Sequence, residues 1–146
     1  MRIVLQRVSA ASVTADGVET GRIGRGYVLL LGVGEDDTVE QADLLLSKIA
    51  KLRLFPDENK KTNLSITDVR GSVLVISQFT LYADCRKGNR PSFTGAGNPE
   101  KAQWLYVYFI DKARHLFEHV AGGVFGAYMQ VQLTNDGPFT LVLEQE

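Results

Sequence analysis

Cysteine is nearly absent from this sequence of 146 residues, since it occurs once, at Cys85. A single cysteine excludes an internal disulfide and is typical of a reducing compartment. Long hydrophobic runs are also lacking, and the opening segment MRIVLQRVSA has only Ile3, Val4 and Leu5 in succession. That run is too short for a signal peptide or a membrane span, so we expect a soluble cytoplasmic protein without membrane contact.

An excess of one charge is lacking as well. The 16 Lys and Arg residues against 17 Asp and Glu residues give a formal net charge of −1, so no global field attracts nucleic acid. Any RNA contact must come from a local basic cluster, and we expect no contact with DNA. The hydrophobic content of 45% is ordinary for a globular protein. The length predicts one domain over residues 1–146.

Apolar and alternating segments dominate what is present. They predict strands at residues 2–15, 18–23, 27–33, 73–76, 124–134 and 139–143. Asp16-Gly17 is typical of a hairpin turn, and the strand that begins at Val73 could run on through Tyr82. Residues 57–70 are polar and predict a surface loop with a weak strand or turn around Leu64. The stretch 84–99 predicts a long loop without regular structure, which is usually functional or disordered.

Two segments change to a helical period. Thr38 and Gln41 fit a capping box, and the buried face of the helix would carry Val39, Ala42, Leu45, Leu46 and Ile49. Asn98 with Pro99 would start a second helix, ended by Gly122-Gly123, with a buried stripe of Ala102, Leu105, Phe109, Ala113, Leu116 and Val120. The fold class is therefore α+β, with antiparallel sheets that could close into a barrel-like form and two main helices packed outside.

Polar side chains end the apolar run that begins at Val73. Ser77, Gln78 and Thr80 bring donors and acceptors that cost roughly 1–3 kcal/mol each if buried without partners. Two interpretations stay open: neighbouring groups satisfy a polar strand end, or the strand ends at a wet pocket. Strand ends are common places for sites, because the sheet holds them still.

Two further patterns carry chemistry in other proteins. His115, Glu118 and His119 match H-x-x-E-H, with both histidines on one helix face. A metal would need a third ligand, and histidines near a helix C-terminus also suit its dipole, so we expect no metal. Cys85 lies beside Arg86 and Lys87, which favour a reactive thiol, but no histidine is placed beside it. We expect a free thiol, and we expect no cofactor.

Three motifs make the chain recognisable. SQFTLYAD at 77–84, RKGNRPSF at 86–93 and NDGPFT at 135–140 closely resemble the D-aminoacyl-tRNA deacylases, which remove D-amino acids from tRNA. The resemblance extends from VLQRVSAASV at 4–13 to the last strand, and the pair SQFT and NDGPFT in this order is specific. It implies a homodimeric hydrolase that acts on D-aminoacyl-tRNA, and on glycine from mischarged tRNA, without metal or cofactor.

The resemblance implies a catalytic role for Ser77, Gln78, Phe79 and Thr80. An ester hydrolase needs an attacking oxygen and donors for the oxyanion. The Gln78 side chain and backbone N–H groups near Phe79 and Thr80 could be those donors. Family members have been interpreted with the threonine as nucleophile, or with the substrate's 2′-hydroxyl activating water. No base stands beside Thr80 in the sequence, which favours the second interpretation.

For the NDGPFT motif, the resemblance implies a cis Gly137–Pro138 bond that enters the partner subunit's active site. Rigid carbonyls against the substrate's α-carbon would exclude an L side chain and admit D residues and glycine. The resemblance also implies that Arg7, in its QRV context, supports this loop. Phe139 departs from the valine that we associate with many members, which affects the fine shape of the pocket.

The loop after the first motif carries Arg86, Lys87, Arg90 and Phe93. The cations could attract phosphates and the ring could stack on a base, so the acceptor end of tRNA fits here. The alternative for these residues is a solvated, flexible loop. For the whole protein, the alternatives are a non-catalytic RNA-binding module and a small-molecule esterase of the same fold.

Overall fold

Six strands form one mixed sheet that curls until its ends nearly meet. The computed structural model describes all residues from 1 to 146. In chain order its elements are β1 (Arg2–Ala15), β2 (Val18–Ile23), β3 (Gly26–Gly32), α1 (Val39–Lys51), β4 (Arg53–Pro56), β5 (Thr62–Ser65), β6 (Ser72–Ser77), a 3₁₀ helix (Phe79–Tyr82), α2 (Pro99–Leu116), β7 (Val120–Gly122) and β8 (Met129–Glu144).

The sheet has the order β2-β1-β3-β6-β7, and β8 pairs with β1. β1 pairs antiparallel with β2, β3 and β8. β3–β6 and β6–β7 are parallel pairs, because α1 and α2 provide the long crossovers that parallel neighbours need. The Thr20 hydroxyl of β2 donates to the Gly122 carbonyl of β7 at 3.3 Å. The predicted α+β fold, barrel-like with two helices, is confirmed as a single domain, and its sheet is mixed.

Both predicted helix starts are confirmed in atomic detail. Thr38 caps α1, and the reciprocal bonds between Thr38 and Gln41 complete the capping box. Asn98 caps α2 by accepting from the Lys101 N–H at 2.9 Å, with Pro99 in the first turn. Neither helix has the length and apolar composition that a membrane crossing demands.

Strand β6 is buried on both faces, as its apolar run predicts. Val73 and Val75 pack in the larger core, between the sheet and the two helices. Leu74 and Ile76 pack in a smaller core inside the curled sheet. All four side chains are at most 1% exposed, so the end of β6 is held firmly where the chain emerges from the core.

Several predicted boundaries are wrong. α2 ends at Leu116 rather than near Gly122, because Phe117 turns extended and fills the last core position at 6% exposure, whereas Leu116 is 45% exposed. β6 stops at Ser77 and gives way to the 3₁₀ helix instead of running on through Tyr82. β8 begins at Met129 rather than Val124 and continues through the predicted turn.

The polar region after α1 contains more structure than the sequence indicates. β5 includes Leu64, where a weak strand was expected, and it pairs antiparallel with β4 in a separate two-stranded sheet. β4 was missed, because a four-residue strand between a helix and a loop leaves almost no periodic signal. Arg7 of β1 contacts this β4–β5 hairpin through the Leu54 carbonyl.

Candidate active site

The end of β6 opens into a cleft. The Gln78 N–H donates to the Leu31 carbonyl at 2.7 Å, which fixes the chain against the end of β3 before it turns into the 3₁₀ helix. The cleft has a volume of about 470 Å³, and Ser77, Gln78 and Phe79 lie in its wall. Of the two interpretations of this polar strand end, the structure therefore supports a pocket.

Thr80 lies beside this cleft but not in its lining. Its side chain is exposed, and its hydroxyl accepts a hydrogen bond from the Gln78 side-chain amide. An amide is not a general base, so this contact does not activate the hydroxyl as a nucleophile. It also satisfies part of the polar strand end locally, as the other interpretation expected.

Sequence reasoning missed the rest of the cleft wall. The remaining lining residues come from the end of the 84–98 loop, the first turn of α2, the segment leading into β8 and the first residues of β8: Ala96, Gly97, Pro99, Ala102, Phe125, Gly126, Ala127, Met129 and Val131, together with Ile76. Most of this lining is apolar, which is typical of a ligand site with few polar groups. The alternation of Met129 and Val131 was the available signal, but their common cleft depends on long-range packing.

The basic loop is organised by a small bridge. Asp84 and Ser92 exchange backbone hydrogen bonds of 2.7 and 3.0 Å, and they close a loop whose exposed tip carries Arg86, Lys87 and Arg90. The prediction of a long loop without regular structure is confirmed, since no helix or strand lies between Tyr82 and Pro99, and the isolated bridge closes the base of this loop. The bridge escaped prediction because one isolated pair of residues has no sequence period.

Charge and aromatic contacts link this loop to the cleft. Arg86 forms a 2.7 Å ion pair with Asp84 and holds the pKa of that carboxyl down at about 2, mainly through the side-chain hydrogen bond. Phe93 packs edge-on against Phe79, with ring centroids 5.0 Å apart. The structure thus brings Phe93 to the margin of the cleft and pairs one of the three predicted phosphate-binding cations with an acid.

Arg7 supports residues 135–140, a bulge within strand β8 that carries Gly137 and Pro138 and that we call the hairpin. Its Nε donates to the Asp136 carbonyl at 2.8 Å, and its Nη1 donates to the Leu54 carbonyl of β4 at 2.5 Å. Its guanidinium lies 4.2 Å from the centre of the Phe139 ring, and the side chain is buried. Arg7 therefore connects the hairpin to the β4–β5 sheet.

The hairpin itself is exposed and locally braced. Gly137 and Pro138 are both exposed, and the bond between them is cis, the state that the resemblance implies. The Asn135 side-chain amide donates to the Arg7 carbonyl at 2.9 Å and to the Phe139 carbonyl at 3.2 Å. Asn135 was missed as a support residue, because nothing in the sequence shows which way its side chain turns.

Within one chain, the hairpin and the cleft lie at different levels of the sheet. Arg7 pairs with Tyr27 and Tyr27 with Val73, whereas Leu31 pairs with Ser77. Arg7 therefore lies in line with Val73 across the sheet. Val73 comes four residues before Ser77 on β6, and the two are about 13 Å apart along the strand. The hairpin also lies on β8, on the far side of β1 from β6. Gly137 and Pro138 are not among the residues that line the cleft of their own chain, although Met129 and Val131 of the same strand are.

The residues of the H-x-x-E-H pattern do not form a cluster. His115 contacts the Asp111 carbonyl at 2.7 Å within α2, but His119 lies beyond the end of the helix and contacts the Arg22 carbonyl at 3.2 Å. The expectation that both histidines share a helix face is therefore wrong. No group of three potential metal-ligating side chains occurs. Cys85 is an exposed free thiol.

Comparisons with known proteins agree with one another. The model of the family described as D-Tyr-tRNA(Tyr) deacylase matches residues 4–144. The D-aminoacyl-tRNA deacylases of Fervidobacterium nodosum and Bacillus cytotoxicus are each 53% identical over 146 residues; the match covers 100% of this chain and 98% and 100% of theirs.

Two solved structures are also similar to this chain. One, named c-Myc DNA Unwinding Element Binding Protein, has a TM-score of 0.93 at 42% identity, covering 100% of this chain and 99% of the other. A probable eukaryotic D-amino acid tRNA deacylase has a TM-score of 0.80 at 17% identity and 97% coverage of both chains, which shows a shared fold. By the family match and the full-length relatives, this chain belongs to the D-Tyr-tRNA(Tyr) deacylase family.

Proposed function

We propose that this protein hydrolyses the ester bond between a D-amino acid and tRNA, and between glycine and mischarged tRNA. The reaction takes place at the cleft beside Ser77, Gln78, Phe79 and Thr80. The observation that carries the proposal is the placement of Ser77, Gln78 and Phe79 in the wall of an apolar cleft, in a chain of this family. The site of action is the cytoplasm, where charged tRNA is used.

Ester hydrolysis here requires an attacking water and donors for the oxyanion. The water oxygen adds to the ester carbonyl carbon, and the carbonyl oxygen becomes an oxyanion. The Gln78 amide and the first N–H groups of the 3₁₀ helix, at Phe79 and Thr80, are the available donors, since a helix start leaves such groups without intrahelical partners. The tetrahedral intermediate then expels the ribose oxygen, which takes up a proton.

The attacking water is activated by the substrate's own 2′-hydroxyl. The hydroxyl of Thr80 has the Gln78 amide as its partner and no general base, which makes it a poor nucleophile. Thr80 instead positions the substrate by way of Gln78. No metal and no organic cofactor take part in this mechanism.

A second copy of the chain supplies Gly137 and Pro138 to the cleft. The hairpin is exposed and does not line the cleft of its own chain, which leaves it free to act in trans. There its backbone carbonyls stand against the α-carbon of the amino acid and leave room for hydrogen only. An L side chain collides, a D side chain points away, and glycine fits. Arg7 supports this hairpin through its bond to the Asp136 carbonyl.

The free edge of β8 supports a homodimer. β8 pairs with β1 on one side, and its other edge is unpaired over a long strand, which is a template for association. Val142 is 66% exposed on this strand, and Phe139, Leu141 and Leu143 remain half-buried. A second copy at this edge would cover apolar surface and bring the hairpin toward its neighbour.

The acceptor end of tRNA binds across the 84–98 loop. Lys87 and Arg90 contact phosphates, and Phe93, beside Phe79, offers a ring to a base. Arg86 contributes less, because Asp84 neutralises it. Contacts to phosphate carry no base sequence, so binding tolerates many tRNAs.

The direct test is to incubate the protein with D-tyrosyl-, L-tyrosyl- and glycyl-tRNA and to follow ester loss. We expect rapid loss of D-tyrosine and glycine and retention of L-tyrosine. Equal turnover of the D and L forms, or of neither, contradicts the proposal. Tight tRNA binding without ester loss would point to an RNA-binding module, and free D-amino-acid esters cleaved as fast as charged tRNA would point to a small-molecule esterase.

A further inference from the structure

Tyr82 is the last residue of the 3₁₀ helix that carries Thr80, and its ring sits in a slot lined by glycines. A Cβ added to Gly34 would lie 2.7 Å from the Tyr82 hydroxyl, and one added to Gly32 would lie 3.2 Å from Cε2 of the ring. The ring reaches this place because neither position carries a side chain.

The hydroxyl of Tyr82 reaches a buried carboxylate at the bottom of this slot. Asp37 is 5% exposed. It accepts from the Tyr82 hydroxyl at 3.4 Å and from the Gly34 N–H at 2.5 Å, and it also bonds the amino group of Met1. Burial, and then the Asp37 charge, raise the pKa of Tyr82, so the phenol stays protonated and remains a donor.

Arg2 holds the same turn from the other side. Its guanidinium carbon lies 4.6 Å from the centre of the Tyr82 ring, and its Nη1 donates to the Leu81 carbonyl at 3.0 Å. Its Nε forms a 3.0 Å ion pair with Glu144 of β8. Both the ring and the backbone of the turn are therefore fixed to β1.

The turn has little structure of its own to hold it. Inside and just after the 3₁₀ helix, the Leu81 N–H donates to the Gln78 carbonyl at 3.2 Å and the Ala83 N–H to the Thr80 carbonyl at 3.0 Å. Short 3₁₀ helices have poor hydrogen-bond geometry and depend on their surroundings. The Gln78 N–H bond to the Leu31 carbonyl holds the start of this turn, and the orientation of Thr80 and of the Gln78 side chain bonded to it then depends on the anchor at Tyr82.

We propose that Tyr82, held by Asp37 and Arg2, is a positioning residue that sets the orientation of Gln78 and Thr80 without touching the substrate. This inference rests on the proposed function of the cleft. A displacement of about 1 Å at a catalytic group can cost as much as a hundredfold in rate. Tyr82→Phe removes only the phenol hydroxyl and keeps the ring and its contact with Arg2. We therefore expect a smaller displacement of Gln78 and Thr80, and a smaller loss of rate.

Tyr82→Phe tests this, and Tyr108→Phe is its matched control. Tyr108 makes the same kind of bond, from its hydroxyl to Asp43 at 2.9 Å, but it joins the two helices away from the cleft. For Tyr82→Phe, we expect shifted NMR signals of the Gln78 side-chain amide and the Thr80 backbone amide in the free protein. We also expect kcat on D-tyrosyl-tRNA to fall about tenfold while KM stays within about twofold. The preference for D over L should not change.

Tyr108→Phe should leave both signals and kcat unchanged. The inference is overturned if Tyr82→Phe leaves the two amide signals and kcat at wild-type values, or if Tyr108→Phe shifts them equally. If Tyr82→Phe does not fold, Arg2→Lys takes its place, with the same expected losses and the same overturning result. A wild-type protein inert on D-tyrosyl-tRNA contradicts the proposed function instead, and the amide signals still decide whether Tyr82 positions the turn.

Discussion

Among single residues, Thr80 distinguishes the two ways of attacking the ester. Its hydroxyl contacts an amide and no base, so we expect Thr80→Ala to lower kcat by less than about tenfold. Thr80→Ser keeps a hydroxyl in place and serves as the control. The measurement is single-turnover hydrolysis of D-tyrosyl-tRNA. A loss beyond about a thousandfold with tRNA still bound would instead make Thr80 the nucleophile.

Arg7 is the residue on which the hairpin depends. A lysine carries its three donors on one nitrogen, so it lacks the planar fork by which Nε and Nη1 of Arg7 reach two carbonyls while the guanidinium lies over Phe139. We expect Arg7→Lys to lower the free energy of unfolding by about 1–3 kcal/mol, because carbonyls lose their partner, and to lower the ratio of D to L turnover. Arg25→Lys is the control, since Arg25 also lies over an aromatic ring, at 5.1 Å from Phe55, without touching the hairpin. Unchanged selectivity in Arg7→Lys would contradict the support role.

The residues alone left two interpretations for the polar end of β6, and the resemblance selected the functional one. Ser77, Gln78 and Phe79 line the cleft because a motif at a strand end stays local in space. Arg7 came only from the resemblance, and the structure gives it a physical role beside Asp136. Two hydrogen bonds could not be predicted: the one from Asn135 to Arg7 and the one from Tyr82 to Asp37. Each joins residues that are far apart in the chain, and the sequence does not show which way their side chains point.

At the scale of elements, the cap of α2 affects both stability and binding. Asn98→Ala removes the bond to the Lys101 N–H, and Thr38→Ala removes the equivalent cap of α1; each should cost about 1 kcal/mol in the free energy of unfolding. Because Pro99 and Ala102 in the first turn of α2 line the cleft, we expect only Asn98→Ala to raise KM. Denaturation curves and steady-state kinetics measure this. Equal kinetic effects in both variants would contradict it.

The loop element gives a prediction about salt and pH. The pKa of the Asp84 carboxyl is lowered to about 2 in the folded protein, below its value in the unfolded chain. The ion pair with Arg86 is therefore fully present above the unfolded pKa and is lost as the pH falls through about 2. Between about pH 5 and 8 the pair is therefore intact, and tRNA affinity should not vary because of it. Asp84→Asn frees Arg86 for a phosphate.

We expect Asp84→Asn to steepen the salt dependence of tRNA binding by about 0.7–0.9 in the log–log slope. Asp111→Asn is the control, since it frees Arg114 from a similarly exposed pair on α2. Filter binding over a series of salt concentrations measures both slopes. A slope for Asp84→Asn equal to that of the wild type would show that a freed Arg86 does not contact phosphate.

Elements with a strong local signal were predicted well. β1, β2 and α1 follow from a hairpin turn, an apolar period and a capping box, which are all encoded within a few residues. The end of α2 was not, because the choice between Leu116 and Phe117 for the last core position depends on tertiary packing. The prediction extended that helix over β7 for a related reason, since a strand of three residues shows no hydrophobic period in the sequence.

At the scale of the whole molecule, the parallel pairs of β6 and the curl that brings β2 to β7 come from contacts between distant segments. Local sequence patterns predict the α+β class, but they predict neither the parallel pairing of β6 nor the curl of the sheet. In this arrangement the hairpin of Gly137 does not line the cleft beside Ser77 of its own chain. That separation is why a second copy of the chain is part of the proposed active site.

The most direct test of this claim uses a heterodimer of two damaged chains. Gln78→Ala damages the cleft and keeps the hairpin. Gly137→Ala damages the hairpin, because a Cβ there would lie 2.6 Å from the Asn135 Oδ1, and keeps the cleft. With two affinity tags, the heterodimer can be isolated and its turnover of D- and L-tyrosyl-tRNA compared with that of both parent homodimers.

If the hairpin acts in trans, the intact cleft of one chain meets the intact hairpin of the other. The heterodimer then shows the wild-type ratio of D to L turnover, at about half the wild-type rate because one of two symmetric sites is intact. If the hairpin acts within its own chain, no site is intact. A heterodimer whose ratio of D to L turnover equals that of the Gly137→Ala homodimer would contradict the account.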